Sequence, residues 1–239
     1  MPKIEEKLAQ TTDLRFKDYL FADFSKVKSE RSALTQIERF IEKMKDSAKI
    51  KNILQIQVKF PFRWDKFGQE LENCGFKKGL YFVTKKASPT KATLPENVVE
   101  TRNIFDVRQQ LMMQQKLHYD FNPQFFCSLK SFDINGYLAD IQALIEKKEA
   151  IAYCKRENQH ILGFIVVEKE KRQSYISELF VEEKYRGLGI GKVLMSAVED
   201  FAGHTPLVTS LAVQNMNAMA FYKRCNFVET DRLYYLYLI

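Results

Sequence analysis

Three of the chain's nine glycines fall in Tyr185-Arg186-Gly187-Leu188-Gly189-Ile190-Gly191-Lys192, and this cluster constrains the fold more than any other stretch. Just before it, Ser174-Tyr175-Ile176-Ser177-Glu178-Leu179-Phe180-Val181 is rich in β-branched and aromatic residues and reads as a buried strand. Just after it, Val193, Leu194, Ala197, Val198 and Phe201 recur at helical spacing until Gly203 stops the pattern. A strand, a glycine-rich turn and a helix in that order place free backbone N–H groups at a positive helix end. Such an end suits a phosphate or pyrophosphate.

Which phosphate ligand is meant depends on spacing. A Walker loop needs glycine five residues before Gly191 and Ser or Thr after the lysine, but Arg186 and Val193 stand there. A dinucleotide fingerprint needs G-x-G-x-x-G in a βαβ unit; the spacing here is G-x-G-x-G. The remaining readings are a turn that merely caps a surface helix, and Arg-x-x-Gly-x-Gly filled by Arg186, Gly189 and Gly191. The latter resembles the acetyl-CoA loop of the GNAT N-acetyltransferases. A second stretch carries the same resemblance. An apolar run, Leu207 to Val213, precedes Asn215, Ala218, Tyr222 and Phe227, which stand where that family shows Asn-x-x-Ala-x-x-x-Tyr and a small-Gly-Phe turn. Asn226 replaces the usual glycine, and asparagine is the other residue that tolerates the left-handed conformation of a helix stop.

The 239 residues, 46% of them hydrophobic, can bury a sizeable core. The net charge of +7 comes from Lys and Arg spread along the chain, which argues against a nucleic-acid partner and fits a surface with more Lys than Glu. Cys74, Cys127, Cys154 and Cys225 are far apart with no C-x-x-C, so neither a metal site nor a disulfide framework is expected, and the chain suits a reducing cytoplasmic setting. No signal peptide and no membrane-spanning run is expected.

Residues 1–93 read as a small α/β domain. Ser32 to Met44 is an amphipathic helix with Ser32 as its N-cap, Ile53 to Phe60 an alternating strand, and a helix that tolerates Gly68 follows Pro61 and runs to Asn73. Gly79 to Thr84 is a further strand. Leu71-Glu72-Asn73-Cys74-Gly75-Phe76 before it resembles Lys223-Arg224-Cys225-Asn226-Phe227 before the Tyr-rich end. This half therefore reads either as a truncated GNAT-like unit without a glycine loop or as a common helix–strand junction. Lys85 to Glu96, with two prolines, is the best linker. Residues 94–239 then run strand, helix (Ile104 to Lys116), aromatic loop, helix (Ile134 to Lys147), strands near 150–154 and 161–168, and the motif elements. That order resembles the GNAT fold, an α/β (α+β) architecture with a central mixed, splayed sheet flanked by helices.

The resemblance implies acetyl-CoA as acetyl donor, no metal, and direct transfer to a primary amine. Backbone groups of Leu179, Phe180 and Val181 would hold the pantetheine in the splay and polarise the thioester. Arg186, Gly187, Leu188, Gly189, Ile190, Gly191 and Lys192 would hold the pyrophosphate, and Asn215 would position its helix or the pantetheine. Tyr222 would protonate the departing thiolate, unless it only packs its helix on the sheet. Glu178 is a candidate base; so, more weakly, is His118. The acceptor would meet an aromatic loop holding His118, Tyr119, Asp120, Phe121, Phe125 and Phe126, with Tyr234 and Tyr235 completing the wall. His160 and His204 carry no functional signal. The plan resembles that of the bacterial TDP-amino-sugar acetyltransferases, which implies a nucleotide-linked amino sugar as acceptor. Protein N-terminal or side-chain acetylation is the alternative among enzymes, and an acyl-CoA-binding regulatory module the alternative outside them. The expected partners are a small-molecule amine and a second copy in a homodimer, with no nucleic acid and no membrane.

Overall fold

The computed structural model describes residues 9–11, 19–25, 27, 29–35, 37–50, 55–86 and 94–238. In chain order the elements are β1 (Ala9–Thr11), β2 (Tyr19–Asp23), α1 (Glu30–Leu34), α2 (Ile37–Ile50), β3 (Gln55–Pro61), α3 (Asp65–Asn73) and β4 (Lys77–Lys85). There follow β5 (Val98–Glu100), α4 (Arg108–Phe121), α5 (Ile134–Glu146), β6 (Ala150–Glu157), β7 (His160–Lys169) and β8 (Ser174–Val181). The chain ends with α6 (Ile190–Ala202), β9 (Leu207–Ala212), α7 (Met216–Arg224) and β10 (Val228–Tyr237).

All the strands share one ten-stranded mixed sheet in the order β1-β2-β3-β10-β4-β9-β8-β7-β6-β5. The last strand is thus inserted between β3 and β4, antiparallel to both, and β4 lies between β9 and β10. Strands from either side of residues 87–93, the middle of the expected linker, therefore alternate in the sheet; those seven positions lie outside the described residues. One face carries α2 and α3 over Ile56, Val58 and Phe60, then α6 and α7 over Ile165, Ile176 and Leu211. The other face carries α4 and α5 over Phe164, Val166 and Phe180, and the segment with Phe125 and Phe126 over Leu80, Ala212, Leu233 and Tyr235.

Local chemistry accounts for most element ends, with two corrections. Ser29, not Ser32, caps the first helix: its Oγ accepts the Ser32 N–H at 3.3 Å. That helix then ends at Leu34, and a second one carries Ile37, Ile41 and Met44 into the core. Likewise the helix after Ile104 continues to Phe121, so His118, Tyr119, Asp120 and Phe121 form its last turn and not a loop. Asn122 and Pro123 stop it, since the ring of Pro123 disfavours helical backbone at the preceding residue.

The two helix–strand junctions are alike bond for bond. At α7 the Phe227 N–H reaches the Tyr222 carbonyl (3.0 Å) and the Asn226 N–H that of Lys223 (3.0 Å), with Asn226 at φ 64°. At α3 the Phe76 N–H reaches Leu71 (2.9 Å) and the Gly75 N–H Glu72 (2.9 Å), with Gly75 at φ 89°. Both are 6→1, 5→2 helix stops through a left-handed residue. Leu71 stands in the α3 stop where Tyr222 stands in the α7 stop.

Candidate active site

The parallel pair β8–β9 is joined only at Ser174↔Leu207 and Tyr175↔Val208. Beyond that pair β8 stays on β7 as far as Val181, and β9 stays on β4 as far as Ala212, so a wedge opens between them. Register slips between Val166 and Val167 on β7 because Ser177 is an extra residue on β8, and this bulge sits at the start of the wedge. Leu179 and Val181 are half-buried along β8, while Phe180 turns to the α4–α5 face against Phe164.

At the open end of the wedge lies the glycine cluster. Gly187 and Gly189 have φ of 84° and 80°, and a Cβ on either would meet nothing within 4 Å. Backbone conformation, not crowding, is what these two positions require of glycine. Gly189 is the N-cap of α6 and no side chain caps that helix, so its first-turn N–H groups stay open to a ligand. Gly191 is different in kind: a Cβ there would stand 3.0 Å from the Phe221 ring, so it lets α6 and α7 approach. Arg186 is exposed and donates its Nε–H to the Val181 carbonyl at 3.0 Å, tying the loop to the end of β8. Leu188 and Lys192 are also exposed, and Ile190 is buried. An uncapped helix start behind two exposed glycines fits a pyrophosphate.

At the closed end of the wedge, the Thr209 hydroxyl donates to the Ile176 carbonyl at 2.9 Å, bridging the strands just past their last pair. Tyr222 is 6% exposed, with its ring between Phe221 (5.3 Å) and Phe227 (5.1 Å) and its hydroxyl hydrogen-bonded to Thr209. Burial drives this phenol well above the ordinary tyrosine range, and the Thr209 hydroxyl opposes the shift. A phenol so placed holds its proton at neutral pH and can give it up only to a strong base beside it. Asn215 caps α7, its Oδ1 accepting the Ala218 N–H at 3.1 Å. Asn215→Ala is expected to destabilise the fold by about 1 kcal/mol, the usual cost of a lost cap, read as a lower urea midpoint.

On the opposite face, Glu178 is 3% exposed and its Oε1 accepts a hydrogen bond from the Tyr137 hydroxyl on α5. Tyr137 was not foreseen; forty-one positions separate the partners and only packing joins them. His160 was not foreseen either. Its Nε2 lies 3.0 Å from Oε2 of buried Glu182, whose Oε1 receives Gln110 Nε2 at 3.3 Å, linking α4 and β7 to the root of the glycine loop.

The expected acceptor wall is divided. Tyr235 is buried, donating its hydroxyl to Asn122 Oδ1 at 3.1 Å with Phe125 5.0 Å away, and burial raises its pKa. Tyr234 points to the other face, where it donates to Glu72 at 3.0 Å, so it takes no part in that wall. Phe125 and Phe126 are core, and His118 packs edge-on against Phe126 at 4.9 Å. His118 and Tyr119, half-buried, and Asp120 and Phe121, exposed, are the members that present surface. His118 and Glu178 thus belong to different parts of that face. Among the described residues, no group of three His, Cys, Asp or Glu could hold a metal ion, and no helix is long and apolar enough to cross a membrane.

Comparison with known proteins follows this geometry. No curated protein matches the chain. A GCN5-related N-acetyltransferase from Sphaerobacter thermophilus superposes with a TM-score of 0.59 at 12% identity, over 92% of this chain and 73% of the other. A conserved protein of unknown function from Staphylococcus epidermidis gives 0.56 at 16% identity, over 96% and 93%. A tandem GNAT protein from the clavulanic acid biosynthesis pathway gives 0.51 at 12%, over 84% and 70%. At these identities the structures show the fold alone. Residues 115–227 match the acetyltransferase (GNAT) family model, from the middle of α4 to the end of α7, so the wedge, the glycine loop and Tyr222 all lie inside the matched span. Residues 115–227 thus carry a GNAT acetyltransferase domain, of a family that uses acetyl-CoA.

Proposed function

We propose that the protein transfers an acetyl group directly to the primary amine of a small molecule, with a nucleotide-linked amino sugar as the leading acceptor. The observation that carries this reading is the alignment of three features along one wedge: the uncapped α6 start, the unpaired inner edge of β8, and the Tyr222 hydroxyl at the vertex. Bound acetyl-CoA supplies an activated thioester. The backbone from Arg186 to Lys192 receives its pyrophosphate, and the edge from Leu179 to Val181 receives the pantetheine and polarises the thioester carbonyl. Glu178, held by Tyr137, takes the proton that the attacking amine must lose. Tyr222 gives its proton to the departing sulfur. The first 93 residues enter as a degenerate half of the same fold, which lends β3 and β4 to the sheet and, with Leu71 in place of a tyrosine, supplies no acid of its own.

CoA release should be measured against TDP-linked amino sugars, ribosomal-protein N-terminal peptides, polyamines and aminoglycosides. Turnover with one amino-sugar nucleotide supports the assignment. Turnover with peptides alone overturns the sugar acceptor and keeps the chemistry. Tight acetyl-CoA binding without turnover of any amine favours a regulatory module.

A further inference from the structure

On the α4–α5 face of the sheet, a row of side chains crosses five adjacent strands from β3 to the wedge. Asp231 of β10 pairs with Phe82 of β4, which pairs with Ser210 of β9. The Ser210 hydroxyl lies 2.8 Å from that of Tyr175 on β8. At the far end stands Lys59 of β3, with its Nζ 4.2 Å above the Phe82 ring and 4.0 Å from Asp231 Oδ2. These residues, Ser210 apart, line a cleft of about 450 Å³, together with Glu170 and Val208 among others. That volume holds a small metabolite. Tyr175 and Val208 are the last pair before β8 and β9 separate, so the cleft abuts the vertex of the wedge.

Lys59 is the unusual member. Its side chain is only 21% exposed, yet among the described residues its ammonium makes no hydrogen bond. The carboxylate beside it is at the limit of an ion pair, and that group's other oxygen already accepts from Ser25 at 2.7 Å. A half-buried cation with N–H donors to spare, over a cleft, calls for an anionic ligand group. Glu170 and Asp231 supply the opposite sign within the same cleft, suited to an ammonium group.

We propose that this cleft is the acceptor site and that the acceptor is a primary amine which also carries an anionic group, a phosphate or a carboxylate, held by Lys59. The inference rests on the transfer reading above. If the acyl arm enters the wedge from the glycine-loop end, the amine must arrive from the vertex, where the cleft opens. Lys59 comes from the first 93 residues, so that half of the chain selects the acceptor.

The test pairs amines that differ by one anionic group: glucosamine 6-phosphate against glucosamine for phosphate, lysine against cadaverine for carboxylate. Binding is measured by titration calorimetry with excess CoA, and acetylation by CoA release. In at least one pair the anionic member is expected to bind and react about tenfold better, the usual worth of a hydrogen bond to a charged group. Lys59→Met should abolish that preference with acetyl-CoA affinity unchanged, and Lys59→Arg should keep it. No preference in either pair, or a preference that survives in Lys59→Met, overturns the proposal. Lys59-dependent binding with no acetylation of any amine overturns the transfer reading and leaves the anion site standing. Acetylation of amines without regard to the anionic group does the reverse.

Discussion

Tyr222→Phe is expected to lower kcat by about 10²-fold or more, with KM for acetyl-CoA nearly unchanged. The substitution removes one oxygen and keeps the ring between Phe221 and Phe227, so the packing of α7 on the sheet survives. Loss of the bond to Thr209 costs about 1 kcal/mol of stability, because Thr209 still donates to Ile176. A fall in kcat far beyond that small structural effect marks the hydroxyl as an acid. If kcat moves less than about threefold while the fold is intact, Tyr222 only packs its helix. The pH dependence adds a second readout. Burial raises this phenol's pKa, so it stays protonated through the neutral range and sets no limb of the activity profile there. The sign for stability follows. The folded state prefers the neutral phenol, so this contribution is fully present below about pH 10, where a free tyrosine titrates, and is lost as pH rises through the higher folded value. Alkaline unfolding of Tyr222→Phe should accordingly be less steep than that of the parent.

Glu178→Gln is the second large effect: kcat/KM should fall by about 10²-fold. Glutamine is nearly isosteric and can still accept from Tyr137, so the bulge and the α5 contact are preserved while the proton acceptor is lost. The acid limb of the parent's pH–rate profile should vanish, leaving a low, flat rate. Persistence of that limb in the variant would assign the base elsewhere. Tyr137→Phe, which leaves the carboxylate in place and removes this one hydrogen bond to it, should cost about tenfold and shift the limb without removing it. A residue acting through Glu178 behaves in that way; one acting only on the fold would change the urea midpoint and leave the limb where it was.

Much of the catalytic half was legible in the chain itself. Ser174–Val181 is the motif strand to the residue, and α6 starts at Ile190 and stops at Gly203. Asn226 takes the left-handed conformation expected where the usual glycine is absent. These are short-range facts: side-chain alternation, a glycine's freedom at positive φ, an asparagine's tolerance of it. Reading the same kind of signal across α4 was less successful. His118 to Phe121 carries the polar and aromatic mix of a loop, but the helix runs on until Asn122 and Pro123. The two helix stops at Gly75 and Asn226 show the opposite case, a local resemblance that extends to each hydrogen bond.

The sequence by itself determined most of the elements from β3 onward and their order, the glycine-rich turn and the tyrosine-bearing helix, because each depends on residues within about a dozen positions of one another. Tertiary structure alone decided which strands are neighbours. Nothing in β10 announces that it will lie between β3 and β4, since backbone hydrogen bonds pair any extended segments and carry no address. The same insertion decides what the polar half of β3 faces. Gln55 and Gln57 alternate with apolar residues as in a strand with one wet side, yet both are buried, Gln55 donating to the Gln124 carbonyl at 3.2 Å and Gln57 to Gln55 at 2.6 Å. Two positions on, the same alternation puts Lys59 in the cleft. Whether a polar residue on a strand meets water, a buried amide or a ligand is set by what packs over it, and that comes from distant parts of the chain.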